Sequence, residues 1–292
     1  MNNYTAERTN ANVLTLRFPE FTAGFEQWFL LSSDRHHDSA YCDRDSEKKH
    51  LDEALKRNAI ILDAGDLFDS MQGKFDPRRS MDELRPEYRV NNYYDFVVKD
   101  CADFYEPYAK NWVLFGLGNH ETAVIRYANT HLTDRLVYEM NNRGYKNCFT
   151  GGYGGWVRML FSAGGQGGRS SLNFYYHHSG TTSNAPVTKG MIGVNRQSVF
   201  IADADIVLNG HNHESYYTSQ IRQKLSNAGN IVHSYTHFVR TPGYKKSWEE
   251  ASYGFDVERL TPKPIGAAWM LITCEYRKTT SLPHISVTMD LM

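Results

Sequence analysis

Aspartate, asparagine and histidine recur in five short clusters along this 292-residue chain, and an apolar run precedes each of them. Asp34-Arg35-His36 follows Trp28-Phe29-Leu30-Leu31, and Gly65-Asp66 follows Ala59-Ile60-Ile61-Leu62. Gly118-Asn119-His120-Glu121 follows Trp112-Val113-Leu114-Phe115. His177-His178 follows Leu172-Asn173-Phe174-Tyr175-Tyr176, and Gly210-His211-Asn212-His213 follows Asp205-Ile206-Val207-Leu208. Carboxylate, amide and imidazole groups are the hard and borderline donors that Mn, Fe, Co, Ni or Zn accept more readily than Ca does. There are enough of them here to hold two ions side by side. Taken singly, each cluster has an ordinary explanation: a hydrogen-bonded pair, a Gly-Asp turn, a helix start capped by Asn119, or an edge pair of histidines. Gly-His-x-His says most by itself, because two imidazoles two residues apart on an extended chain face the same side. The ordered set of five points to a shared metal site.

Such residues need rigid elements to aim them. Short apolar runs that stop abruptly in Asp, Asn and His read as buried strands delivering ligands at their C-terminal ends, where open α/β sheets place their sites. Residues 12–18 and 27–33 alternate as two strands joined by the Gly24 loop. Residues 45–58 read as a helix capped by Asp45 or Ser46, with Leu51, Ala54 and Leu55 on one face. A strand at 59–63 then completes a β-α-β unit. Residues 70–87 read as a loop, 88–107 and 121–142 have helical spacing, and 112–116 is a strand between them. The Gly-rich stretch 150–171 holds a hairpin strand, Trp156–Phe161, and 241–256 reads as a surface loop. Two β-rich runs, 267–277 and 284–291, end the chain. The expectation is one α/β domain over residues 1–292, with a motif core at 29–213 and C-terminal strands within 267–291 completing a second sheet.

The totals exclude several classes. Apolar residues make up 41% and charged residues 22%, enough to build a core and too ordered a mixture for a disordered chain. A formal charge of −1 gives no overall basic surplus of the kind nonspecific nucleic-acid binders show, although a local basic groove remains compatible with it. Cys42, Cys101, Cys148 and Cys274 are far apart and form no C-x-x-C pair, so reduced thiols are expected. The first residues are polar, without a signal-peptide core, and no apolar run reaches the ~18 residues that span a bilayer. A cytoplasmic protein with no membrane partner is the corresponding expectation.

The ordered pattern D-x-H, G-D, G-N-H-E, H and G-H-x-H resembles that of the calcineurin-like metallophosphoesterase superfamily. All five blocks are present, over about two-thirds of the chain. The resemblance implies a four-layer α/β/β/α sandwich of two mixed sheets flanked by helices. It further implies that Asp34, His36 and His213 bind a first metal, that Asn119, His177 and His211 bind a second, and that Asp66 bridges the two. His177 is preferred because such a ligand usually follows directly after the strand; strand alternation alone leaves His178 open. Manganese is the favoured ion, with Fe, Zn, Ni or Co as alternatives. A bridging carboxylate would hold the two ions ~3.5–4 Å apart, and a water between them would lose a proton near neutral pH and become a nucleophile. His120 has no ligand role in the pattern and would protonate the leaving oxygen as general acid. Glu121 or Asp69 would orient an imidazole from behind, or stand as exposed charges at helix starts.

Departures from particular subfamilies bear on the substrate. Protein Ser/Thr phosphatases carry phosphate-clamping arginines where this chain has Ser70 and Leu117, and purple acid phosphatases place a tyrosine ligand where it has Asp69. The bare site is more similar to the phosphodiesterase and nuclease branches, including double-strand-break-repair nucleases and phage-encoded enzymes. A diester carries one negative charge and needs less arginine clamping. The implied substrate is therefore a nucleotide or a DNA or RNA phosphodiester. A phosphomonoesterase on a small metabolite or nucleotide is the alternative, and a non-catalytic scaffold of the same fold is a third reading. Members of the superfamily often dimerise, which admits a homodimer. Arg35 or His37 could touch substrate phosphate, or belong to a loop salt-bridged through Asp38 or Asp43. Lys189 and Arg196 are further phosphate candidates, and Tyr216, Tyr217, Tyr244 and Trp248 could stack on a base or simply pack.

Overall fold

The chain begins with β1 (Thr5–Asn10), β2 (Val13–Phe18), β3 (Glu26–Ser32), α1 (Arg44–Lys56) and β4 (Ile60–Asp63). It continues through α2 (Tyr93–Tyr105), β5 (Trp112–Phe115), α3 (Asn119–Ala128), α4 (Leu132–Asn142) and β6 (Phe149–Thr150). Then come β7 (Gly154–Ser162), β8 (Arg169–His177), α5 (Met191–Phe200) and β9 (Ile206–Asn209). Two antiparallel hairpins follow: β10 (Tyr216–Leu225) with β11 (Ile231–Arg240), and β12 (Ala268–Tyr276) with β13 (Pro283–Leu291). This computed structural model describes residues 4–70, 72, 76, 83–163, 169–180, 190–246, 262–276 and 283–292.

The strands form two mixed sheets, ordered β1-β2-β7-β8-β9-β11-β10 and β13-β12-β3-β4-β5-β6. Period-two alternation assigns each face. On β3 and β4, Phe29, Leu31, Ile60 and Leu62 point at the other sheet, where Leu16, Phe18, Met159, Phe174 and Leu208 meet them. Leu30 and Ile61 point the opposite way, against Leu51 and Ala54 of α1 and Val97 and Cys101 of α2. Val207 and Phe238 on the outer face of the larger sheet pack on Val194 and Ile201 at α5. The layers are thus helix, sheet, sheet, helix, as expected. Each fully buried Leu, Ile or Phe contributes about 1.5–3 kcal/mol, so the strand ends that carry the polar clusters are held from both faces.

Several elements depart from the sequence reading. Segments 12–18 and 27–33 are strands, but the turn at Gly24 passes the chain from one sheet to the other: β2 pairs with β1 and β7, while β3 pairs with β12 and β4. Helix α1 starts earlier than expected because Asp43, rather than Asp45 or Ser46, accepts the Ser46 amide at 3.1 Å. The helical stretch 121–142 is two helices, broken where Asn129 adopts a left-handed φ of 50°. The hairpin of β10 and β11 was not anticipated; its alternating half-exposed residues form a strand without a continuous apolar run. Thr241–Tyr244 are buried rather than part of a surface loop, and Trp248 lies outside the described residues. All four cysteines are free, and no described helix is long and apolar enough to cross a membrane.

Candidate metal centre

Strands β3, β4 and β5 are mutually parallel, so their C-terminal ends share one edge of the smaller sheet. β8 and β9 are likewise parallel in the facing sheet. The loops leaving these ends are fastened to one another by backbone hydrogen bonds: Asp34 N–H to Gly65 O (2.8 Å), His36 N–H to Asp66 O (3.0 Å) and Gly210 N–H to His178 O (2.8 Å). Close approach explains the motif glycines. A Cβ on Gly118 would lie 2.5 Å from the Asp66 amide nitrogen, and one on Gly210 would lie 2.5 Å from Asp34 Oδ2. The loops also pass through left-handed backbone. Asp34, His36, Asp66, His211 and His213 all have positive φ, between 47° and 71°. Such conformations cost an L-residue of order 1–3 kcal/mol each and gather where side-chain direction matters more than local stability. Here they turn five donor groups toward one point.

Asp34, His36 and His213 form one group of potential ligand atoms, and Asp66, His178 and His211 form another; within each, the atoms lie within 4.8 Å of one another. The Nε2 atoms of His36 and His213 face each other at 3.3 Å, and His213 Nε2 is 3.3 Å from Asp34 Oδ1. In the second group His178 Nε2 is 3.1 Å from Asp66 Oδ2 and 3.2 Å from Asn119 Oδ1. Asp66 also belongs with His36 and His120 in a third such group, so its carboxylate lies between the other two. Oδ1 of the fully buried Asp34 accepts no well-aligned hydrogen bond, although His213 Nε2 stands beside it. A buried carboxylate oxygen beside inward-facing ring nitrogens is what a divalent cation would satisfy, so the donor set fits divalent metal binding.

Electrostatics agree. Burial opposes the charge on Asp34 and Asp66, but His178, with His213 at Asp34 and His120 at Asp66, holds both carboxyls well below the usual range. Burial also opposes protonation of His178, yet the two carboxylates push it up to about 10. Burial lowers His36 and His211. A metal would take the place of the proton at His178.

Of the paired histidines, the structure places His178 rather than His177 beside the other donors. His178 continues the face of Phe174 and Tyr176, the face that meets the other sheet, whereas His177 shares the face of Tyr175. His177 Nδ1 accepts from the Gly180 amide at 2.9 Å, and its ring packs on Tyr153 and Tyr175, away from the cluster. His178 Nδ1 meets the Ala64 carbonyl at 3.1 Å, which fixes a proton there and leaves Nε2 for a ligand role. Accordingly, His178→Ala should lower affinity for one ion by well over the 10–100-fold typical of changes to a ligand's supporting partners, while His177→Ala should leave it nearly unchanged. Isothermal titration of metal-free protein with Mn²⁺ measures both.

The other candidates separate into supports and bystanders. Glu121 accepts the backbone amides of Asp66 (3.0 Å), Phe68 (3.0 Å) and Gly118 (2.7 Å), so it shapes the Asp66 loop and caps α3. Burial and the nearby Asp66 push it up to about 8, against the Phe68 and Gly118 amides and His178. Asp69 meets His36 Nδ1 at 2.9 Å, and its backbone carbonyl meets His120 Nδ1. Neither acid is the exposed charge of the alternative reading. Arg35 does not reach the cluster: it is fully buried, bonded to Glu47 and Asp63 at 2.7 Å each, and stacked over Trp112. Its partners are not Asp38 or Asp43. His37 is buried between Asp100 and Tyr105 at 3.1 Å each. Asp38 instead accepts the amides of Asp69 and Ser70. Tyr244 is buried, Arg196 is on the surface of α5, and Lys189 lies outside the described residues. Sequence reasoning missed Asp63, Glu47 and Lys245, since none stands in a recognisable motif.

No family model and no curated protein matches the chain. Among solved structures it is similar to a conserved uncharacterized protein from Streptococcus pneumoniae, a predicted phosphoesterase, at 12% identity and a TM-score of 0.33, covering 91% of this chain and 100% of that one. It is also similar to a candidate 5′-nucleotidase from Staphylococcus aureus in complex with α-ketoglutarate, at 14% identity and a TM-score of 0.44. That match covers 90% of this chain and 53% of the other, so this chain spans about half that protein's length.

Proposed function

We propose that the chain is a dimetal phosphoesterase of the calcineurin-like type, acting on a phosphodiester of a nucleotide or nucleic acid. The observation that carries the reading is the convergence of seven donor residues into two adjoining groups, with Asp66 of one also grouped with His36 of the other. In this reading Asp34, His36, Asp66 and His213 hold one ion, and Asp66, Asn119, His178 and His211 hold the other, manganese being the first choice. When bound, the two ions would supply an activated water and neutralise the phosphate.

The chain's own groups then account for the rest. His120 is 9% exposed, and its Nδ1 side faces the Asp69 carbonyl. Its Nε2 lies 3.8 Å from Asp66 Oδ2, at the cluster, where it can give a proton to the leaving oxygen. The diester preference is supported by Arg35, which is bound to two carboxylates behind the site and offers no clamp for a dianion. The scaffold reading is disfavoured because scaffolds of this kind lose ligands, and here the set is complete.

The test is hydrolysis of bis(p-nitrophenyl) phosphate against p-nitrophenyl phosphate, with Mn, Ni, Zn or Mg returned to metal-stripped protein. Metal-dependent diesterase activity is the expected result. A monoester preference would favour the alternative substrate class, and inactivity on both, with no metal taken up, would overturn the enzymatic reading.

A further inference from the structure

Behind the candidate centre, Oδ1 of Asp69 is a hub. It lies 2.9 Å from His36 Nδ1, 3.6 Å from Lys245 Nζ and 3.8 Å from His120 Nδ1. The carboxylate is nearly buried, and so is the lysine, whose side chain is 9% exposed and whose Nζ is also 3.2 Å from Glu83. Lys245 arrives on a segment fastened to the first ligand loop. Its backbone forms a bridge with Cys42, the neighbouring Tyr244 amide donates to Asp34 O (2.9 Å), and the Asp43 amide donates to Tyr244 O (2.8 Å). The lysine is therefore tied through the backbone to the loop bearing Asp34 and His36.

We propose that Lys245 is a positioning residue for the first metal: its ammonium holds the Asp69 carboxylate against Nδ1 of His36, so that Nε2 of His36 points at the ion. The inference rests on the dimetal reading above. A buried carboxylate is costly without a cation beside it. Asp69 has three claimants, and the one it faces is decided by where the fixed positive charge sits. With Lys245 on one side and His36 on the other, the carboxylate lies between them, and His120 makes do with the Asp69 backbone carbonyl. Removing the charge frees the carboxylate to turn, and the His36 ring then loses the partner that fixes its tautomer and rotation. Partners of this kind are worth about 10–100-fold in metal affinity.

The test is titration of metal-free wild type, Lys245→Met and Lys245→Arg with Mn²⁺ by calorimetry, with circular dichroism as a check on folding. Lys245→Met should weaken one of two binding steps about 10–100-fold and leave the other alone, and Lys245→Arg should restore most of the loss. In an Asp69→Asn background Lys245→Met should add little, because the lysine acts through that carboxylate. Unchanged binding by Lys245→Met, a lower melting temperature with both steps intact, or full additivity with Asp69→Asn would overturn the role. Wild type that binds no ion would overturn the dimetal reading itself, and the role with it.

Discussion

Asp66→Ala is expected to remove both metals at once and to abolish metal-dependent phosphodiester hydrolysis. The carboxylate lies between the two groups of donors, close to His178 and His211 on one side and to His36 and His120 on the other. Among the described residues, no other stands both in the group with His178 and His211 and in the group with His36 and His120. Loss of a ligand such as His213 should weaken one ion, whereas loss of Asp66 should weaken both and leave the two cations with nothing between them to offset their repulsion. Turnover should fall by more than the 10–100-fold seen when only a supporting partner is lost. The folded state itself should survive. Asp66 Oδ1 accepts the His120 amide at 2.9 Å, and an unsatisfied buried amide costs about 1–3 kcal/mol. Against this, Glu121 loses the neighbouring charge that pushes it up. A thermal melt separates the two consequences. Wild type should gain about 2.7 kcal/mol when Mn²⁺ is present at 100 times its dissociation constant, visible as a rise of several degrees. The Asp66→Ala melt should not move with Mn²⁺. A variant that keeps both the metal-dependent shift and the hydrolysis would sink the dimetal assignment.

How much of this was legible beforehand differs from element to element. The buried parallel strands were, because β4, β5 and β9 are continuous apolar runs of a kind that only a strand covered on both faces requires. The residues at their ends followed, since a strand that stops in Asp, Asn or His must place that group on the sheet's rim. What the strands pair with was not legible. Nothing local in residues 12–18 and 27–33 says that they belong to different sheets; that is decided by β7 and β12, which come more than a hundred residues later. The hairpin of β10 and β11 escaped because its outer residues are polar and apolar by turns without any buried run to mark it.

The same distinction holds within the site. Choosing His177 over His178 treated the ligand as the first residue past the strand, whereas period two carried the buried face of Phe174 and Tyr176 on to His178. Arg35 looked like a phosphate contact because it stands between two ligands in sequence. Its direction was set by Glu47 on α1 and Asp63 on β4, which occupy the opposite side of the strand end from the cluster. A residue between two ligands on such a turn must point away from them. Supporting groups such as Glu47 and Lys245 act through another side chain, and such roles leave no spacing to read.

His120→Asn should spare the metals and slow the chemistry, and the leaving group decides by how much. The backbone amide of His120 donates to Asp66 and would still do so in the variant. The ring is the part at issue. Its Nδ1 is engaged by the Asp69 carbonyl, and its Nε2 stands 3.8 Å from Asp66 Oδ2 beside the ring of His36. That position admits two roles, because His36, Asp66 and His120 are also close enough to share an ion. As a general acid, His120 should matter most when the departing oxygen is a poor leaving group, such as a nucleoside hydroxyl. The expected loss there is roughly 10²–10⁴-fold in kcat. With bis(p-nitrophenyl) phosphate the departing nitrophenolate hardly needs a proton, so the loss should be far smaller, and the rate should depend more steeply on leaving-group basicity than in wild type. As a ligand, His120 should instead matter equally for every substrate, and its replacement should lower the metal content measured on the same preparation. A variant that keeps both ions and loses activity only on the poor leaving group fits the acid; equal losses with depleted metal would place His120 in the coordination set and leave the proton to another group.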